Sequence, residues 1–362
     1  MTSDAVLPVD DPPDEDPYAV FVSKKILVMV IMAVVIIIIA LFSIASGAYR
    51  LSVADVLRII FTGGTTVENT VIWNLRVPRV LAAIIVGAAL GVAGAVMQCV
   101  LKNPLASPYT LGISSSAAFG AALSLAISYF GLFSGTIVGE FFSGVYGMTL
   151  NAFIWAMITV GIIIFLSRLV TATPESMILT GVALGAIFAA ALSSLQYFVD
   201  DTTLSSMVYW QFGDLSKVNY TKLAIMGIAL FATSAYFIYK RWDYNAMEAG
   251  EDVAKSMGVN TKGTLLMTMT LASTVTAICI SIVGIIGFIG LLAPHVMRRI
   301  IGGDNRFLIP ASMLAGALIL IAADTFGRLA FVFTLPVGII TSFLGGPLFI
   351  YILSRGKKRS AV

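Results

Sequence analysis

The chain has 362 residues, of which 59% are hydrophobic and 11% charged, with a net charge of +3. A soluble globular protein carries about 25% charged residues, so this chain cannot cover a water-facing surface of its own size and is expected to be a polytopic membrane protein. Two cysteines and one histidine make no metal-ligand cluster, and no metal, no cofactor, no catalytic residue and no nucleic-acid partner are expected of this chain.

The first 16 residues hold six of the 19 acids, Asp4, Asp10, Asp11, Asp14, Glu15 and Asp16, interrupted by prolines. Residues 1–22 read as a disordered acidic cytoplasmic tail. A secretory signal opens on a basic segment, so the first apolar run is expected to be retained as a helix. Runs long enough to span a bilayer lie at 26–46, 80–101, 109–130, 149–167, 178–199, 223–239, 264–284, 286–300, 308–330 and 335–354. The seventh and eighth come from one stretch, 264–297, which as a single helix would reach about 51 Å across a core of about 30 Å. Gly284, Gly287 and Gly290 in GIIGFIG divide it into a full helix and a short returning one. The fold class is thus all-α, with ten transmembrane helices over 23–356 and a basic cytoplasmic tail at 357–362.

Ten spans put both termini on one side. Lys24 and Lys25 precede the first span and Arg355, Lys357, Lys358 and Arg359 follow the last, so that side is expected to be the cytoplasm. On this topology 15 of the 22 basic residues fall inside and seven outside. Arg76 and Arg79, flanking Pro78 before the second span, and Arg328 at the end of the ninth lie outside, against the statistical preference. A single such arginine reads as a snorkelling anchor; three make an outward basic cluster for an acidic partner or an anionic substrate. Asp324 is the clearest ionisable group at membrane depth, and i,i+4 spacing pairs it with Arg328. Proton- or sodium-coupled carriers place carboxylates or histidines mid-membrane. Their scarcity here argues against an ion-coupled secondary transporter, which is the rival reading.

Gly87, Gly91 and Gly94 in the second span form a small-residue stripe suited to close helix packing. The polar stretch 200–220, with its WQFGDL core, reads as an interfacial loop or a re-entrant helix at a pathway mouth. In DYNAMEAGEDVAKSMGVNTK (243–262), Ala246, Gly250, Val253, Ala254 and Met257 share one face of a helix of about three turns. Gly258 is placed to cap it, followed by apolar Val259. Such a helix either folds back on the chain's own spans or acts as a lever docked into a cytosolic subunit.

Residues 76–123 resemble the FecCD-type permeases of ABC importers, which carry ferric siderophores, haem or cobalamin. The resemblance rests on R-x-P-R (Arg76, Pro78, Arg79), Gln98, N-P-L-A-x-P (Asn103, Pro104, Leu105, Ala106, Pro108) and L-G-x-S (Leu111, Gly112, Ser114). It continues through 249–259, 284–310 and 323–353 and covers about residues 50–356. It implies an inverted-repeat type II ABC importer permease fold and a homodimer with a pathway on its two-fold axis. It further implies two cytosolic ATP-binding cassette subunits, which bind ATP and Mg, an extracytoplasmic substrate-binding protein, and a multi-pass place in the cytoplasmic (inner) membrane with both termini cytoplasmic.

Carried over by position, Arg76, Arg79 and Arg328 match arginines that meet acidic residues of the binding protein. Met247, Gly250, Glu251, Val253, Ala254, Lys255, Met257 and Gly258 match the ATPase-coupling segment. Ser114, Ser115 and Ser116 are candidate pathway-wall residues, and His295, in A-P-H-x-x-R, is assigned a structural role near a helix end. No G-x-x-x-x-G-K-[ST] loop is present, so ATP is expected to be bound by the partners.

Overall fold

The computed structural model describes residues 17–169, 173–330 and 333–356, and among these there are helices, turns and loops but no strand. The helices are α1 (Pro17–Ala45), α2 (Val53–Thr62), α3 (Thr66–Asn69), α4 (Val77–Val100), α5 (Ile113–Tyr129), α6 (Ile137–Ser143), α7 (Val145–Leu169) and α8 (Pro174–Phe198). They continue as α9 (Asp201–Gln211), α10 (Tyr220–Tyr239), α11 (Arg241–Ala249), α12 (Glu251–Ser256), α13 (Thr261–Val283), α14 (Ile289–Ile301), α15 (Asn305–Leu329) and α16 (Val337–Gly356). A π-helical turn, Thr70–Arg76, joins α3 to α4 without a break. Among the described residues seven helices are long and apolar enough to cross a membrane, and the remaining three predicted spans fall on α5, α14 and α16.

Residues 1–16 and 357–362, most of one predicted tail and all of the other, lie outside the described residues. The boundary at 22 shifts, because α1 already begins at Pro17, where a proline fits the first helical turn. Lys25 is buried, with its ammonium 4.1 Å from the Phe21 ring and 4.8 Å from the Phe307 ring, which places the start of α1 beside the start of α15.

The core is built around α4, which is buried along nearly its whole length. Its glycine stripe explains why. A Cβ on Gly87 would lie 2.3 Å from the Gly316 carbonyl oxygen, one on Gly91 2.2 Å from that of Ser312, and one on Gly94 1.7 Å from that of Gly290. These backbones therefore touch, and α15 and the start of α14 pack directly on α4. On the other flank α5 packs against α7 and α8 by the same means, with Gly112 against Gly181 and Gly120 against Asn151. By contrast α1 and α8 bury only 17% of their apolar windows, and each leaves a wide apolar face for lipid or another chain.

Two helices start in the interior. The expected span 109–130 is helical only from Ile113, because Pro104, Pro108 and the turns of 101–112 keep the preceding chain irregular. Its N-cap Gly112 is left-handed, at φ 76°. The break at 284–288 behaves alike. Gly284 has φ 80°, and α14 starts from Phe288 at φ 66°. These are the third and eighth spans, equivalent positions of the expected inverted repeat.

Candidate functional site

The molecule carries two charged ends and a broken centre between them. At one end Arg76, Arg79 and Arg328 come together, as their expected shared surface required. All three are engaged within the chain. Arg76 is 8% exposed; its guanidinium donates to the carbonyls of Ile44 at 2.6 Å, Ala45 at 3.0 Å and Tyr49 at 2.5 Å. Arg328 donates to the Ser43 carbonyl at 3.2 Å and to the Ser43 hydroxyl. Both arginines thus cap the last carbonyls of α1, where unpaired oxygens and the helix dipole attract a cation.

Arg79 makes a two-pronged contact with Asp324, Nε at 3.0 Å and Nη2 at 2.8 Å from Oδ1. Arg328 Nε lies 3.2 Å from the other oxygen of Asp324, whose side chain is 1% exposed. The i,i+4 partner was legible in the sequence. The stronger partner, 245 residues away, was not. Three arginines against one aspartate leave this cluster with two excess positive charges, and Arg79 at 15% and Arg328 at 11% side-chain exposure are partly reachable.

In the centre the two irregular segments meet. The Tyr109 and Phe288 rings stack at 6.4 Å. A cavity of about 380 Å³ opens beside them, lined by Tyr109, Gln211, Phe212, Ile285, Ser342 and Phe343 among others. The stretch 200–220 forms part of its wall. After α9, Gly213 at φ 72° turns the chain, Asp214 N–H donates to the Val283 carbonyl at 2.7 Å, and Gly338 N–H donates to the Phe212 carbonyl at 3.1 Å.

The serine run does not line that cavity. Ser114 and Ser116 are buried in packed helices, the Ser116 hydroxyl donating back to Ile113 at 3.0 Å, and Ser115 is half-buried towards Gly185. Small residues in this stretch serve helix contact. Tyr109, Gln211 and Phe343 carried no sequence signal beyond the glycines and prolines around the breaks.

At the opposite end the expected single lever is two helices. Gly250, at φ 134° and ψ 154°, breaks it between α11 and α12, conformations open to glycine and strained for other residues. The expected apolar face therefore splits. Ala246, Met247 and Ala254 are buried, whereas Val253 is 45% and Met257 68% exposed. Gly258 caps α12 as expected, at φ 82°, with its N–H donating to Lys255 and that of Val259 to Ala254, both at 3.0 Å. Glu251 and Lys255 form a surface pair at 2.9 Å, which holds the Glu251 carboxyl below its ordinary value.

Beneath them α11 is clamped. The buried Tyr244 hydroxyl is 2.9 Å from that of Thr268. Asn245 donates to Asp304 at 2.9 Å and accepts from the Asn305 backbone at 2.8 Å, and Glu248 accepts from Arg298 at 2.5 Å. Burial works to raise the Asp304 carboxyl, but hydrogen bonds from Arg306 and Asn245 overcome it and hold the group down at about 2. His295 lies near this end in α14, with its Nε2 buried and without a hydrogen-bond partner among the described residues.

Residues 34–355 match the family model of the FecCD transport family. The chain is 48% identical, over 94% of its length and 98% of the relative's, to a protein of Methanocaldococcus jannaschii provisionally named an ABC transporter permease. It is 34% identical, over 92% of its length and 97% of the relative's, to the hemin transport system permease protein HmuU of Yersinia pestis. A solved inward-facing structure of an ABC transporter, provisionally of metal-chelate type, superposes with TM-score 0.78 at 28% identity, over 91% of this chain and 99% of that one.

Proposed function

The chain belongs to the FecCD transport family and is a permease subunit of an ABC transporter, and from that premise we propose that it imports a bulky metal chelate as a homodimer. In this reading the arginine end faces outward and meets a substrate-binding protein, while the lever end and both termini face the cytoplasm and two ATPase subunits. The observation that carries it is the two-ended architecture over the whole family match: an arginine cluster with excess positive charge at one end, and at the other exposed Val253 and Met257 at α12, joined through Gly250 to α11, which is clamped to α14 and α15.

Docking at the arginine end acts through its two excess charges, with Arg79 and Arg328 the reachable members and Arg76 supporting them from below. ATP-driven closure of the ATPases moves α12, Gly250 provides the joint, and the clamp on α11 transmits the motion to α14 and α15, whose tilting switches access at the broken centre. The start of α16 lines the central cavity, and its exposed Phe343 is free to face a second copy across a shared axis. A weakly polar wall of Tyr109, Gln211, Ser342 and Phe343 suits a large chelate that is passed on and not gripped. Selectivity then rests with the binding protein.

The test is uptake into vesicles bearing this chain with its ATPase and binding protein, offered ferric siderophore, haem or cobalamin in turn. One chelate is expected to accumulate only with ATP inside the compartment that holds the lever end. Accumulation driven by a proton or sodium gradient without ATP would establish the secondary-transporter reading in its place.

A further inference from the structure

A second and larger cavity, of about 740 Å³, lies at the lever end. Its size is within the roughly 300–1,000 Å³ of small-molecule sites. Four long apolar helices end around it. Arg168 is in the last turn of α7, Lys262 in the first turn of α13, Lys102 follows the end of α4, and Thr173 is the N-cap of α8. The cavity therefore sits at the level where helices leave the hydrocarbon for the headgroups.

Its wall has two characters. Buried Val100 and Leu265 make an apolar floor, and half-buried Leu266 and exposed Leu169 carry the apolar lining to the outer helix surface. Lys102, Arg168 and Lys262 supply three cations, none of which forms an ion pair among the described residues, and Thr173 and Thr261 add hydroxyls. Two carboxylates face them. Glu251 is already engaged by Lys255 at 2.9 Å, which leaves Glu175 as the one uncommitted acid against three bases. A cavity with an apolar side, an excess of cations and a place at the headgroup level matches a phosphate anion attached to an acyl chain. Basic pockets between spanning helices bind such headgroups.

We propose that this cavity is a binding site for the phosphodiester headgroup of an anionic phospholipid, with its acyl chain leaving past Leu265, Leu266 and Leu169. Because Met247 and Glu251 form the roof, the bound headgroup lies against the joint between α11 and α12. The site is independent of which chelate the chain carries.

The test uses the full-length chain, with the ATPase subunits that co-purify with it, in bilayers of phosphatidylcholine containing phosphatidylglycerol. Wild type is expected to retain phosphatidylglycerol over phosphatidylcholine. The triple variant Lys102→Gln, Arg168→Gln, Lys262→Gln is expected to weaken that retention roughly a hundredfold, while Arg58→Gln with Lys217→Gln at the far end leaves it unchanged. A photoreactive phosphatidylglycerol is expected to label wild type at Leu265 or Leu266, a readout that holds even where the triple variant fails to fold. Equal lipid retention by the triple variant, or labelling confined to other helices, overturns the assignment. Displacement of the lipid by millimolar inorganic phosphate, with no requirement for an acyl chain, would make the ligand a free phosphate and overturn the lipid source.

Discussion

Asp324 shows how far one residue's role depends on a partner the sequence does not mark. With a 1% exposed side chain it pairs with Arg79 and Arg328 together. Removing one member of a buried pair leaves an uncompensated charge, at a typical cost of about 3–5 kcal/mol. Asp324→Ala is therefore expected to lower the unfolding temperature of the purified chain sharply, and adding Arg79→Ala is expected to restore part of the loss. A single-variant melting curve that overlays the wild type would remove the ion pair from the account of stability. Asp304 gives the complementary case outside the membrane. Its folded value is about 2 against an ordinary 3.8. A depressed carboxyl stabilises fully above the unfolded value and loses that contribution as pH falls through the folded one. The stability gap between wild type and Asp304→Asn should then be flat above about pH 5 and close between pH 4 and 2. A gap that instead closes near neutral pH would assign it to another group.

At the scale of elements, legibility followed whether a signal was local. The ten apolar runs, the Gly258 cap and the Gly284–Gly290 break depend on neighbours a few residues away, and each has a structural counterpart. The lever's division does not follow from its periodicity, since apolar spacing is blind to a glycine that leaves helical geometry at φ 134°. The serine run was ambiguous in the sequence for a related reason: small polar residues serve a pore wall and a helix contact equally well, and the contact of Ser115 with Gly185 depends on a helix 70 residues away. The Gly250 joint carries its own prediction. Gly250→Val must hold a strained backbone, at about 1–3 kcal/mol, or rebuild α11 and α12 as one helix. Either outcome is expected to preserve membrane insertion and ATP hydrolysis while chelate moved per ATP falls several-fold. A separate pair, Val253→Asp with Met257→Asp, removes the exposed apolar contact and should reduce ATPase co-purification by roughly tenfold or more. Unchanged recovery of the ATPase would move the docking surface away from α12.

For the whole molecule, the expected inverted repeat was faint in the sequence, and its structural counterpart is a matter of backbone geometry and not of side chains. The helices α5 and α14 begin from left-handed residues, Gly112 and Phe288, after irregular segments that meet at Tyr109 and Phe288. A broken helix in each half, meeting between two charged ends, is the architecture by which inverted repeats build an internal site. It also fixes a sidedness that can be measured. The C-terminus of α1, the start of α4 and the end of α15 share the arginine end, whereas α11, α12 and the starts of α1 and α15 share the lever end. Leu75 is 62% exposed at the first end and Met257 68% exposed at the second. The native Cys99 and Cys279 are both buried, so they give little background to a membrane-impermeant thiol reagent. Leu75→Cys should react from outside intact cells, and Met257→Cys only after the membrane is opened. Labelling of both positions from one side would contradict the arrangement of ends, and with it the roles of docking face and lever. Reversed labelling would keep the architecture but turn the proposed importer's two faces around.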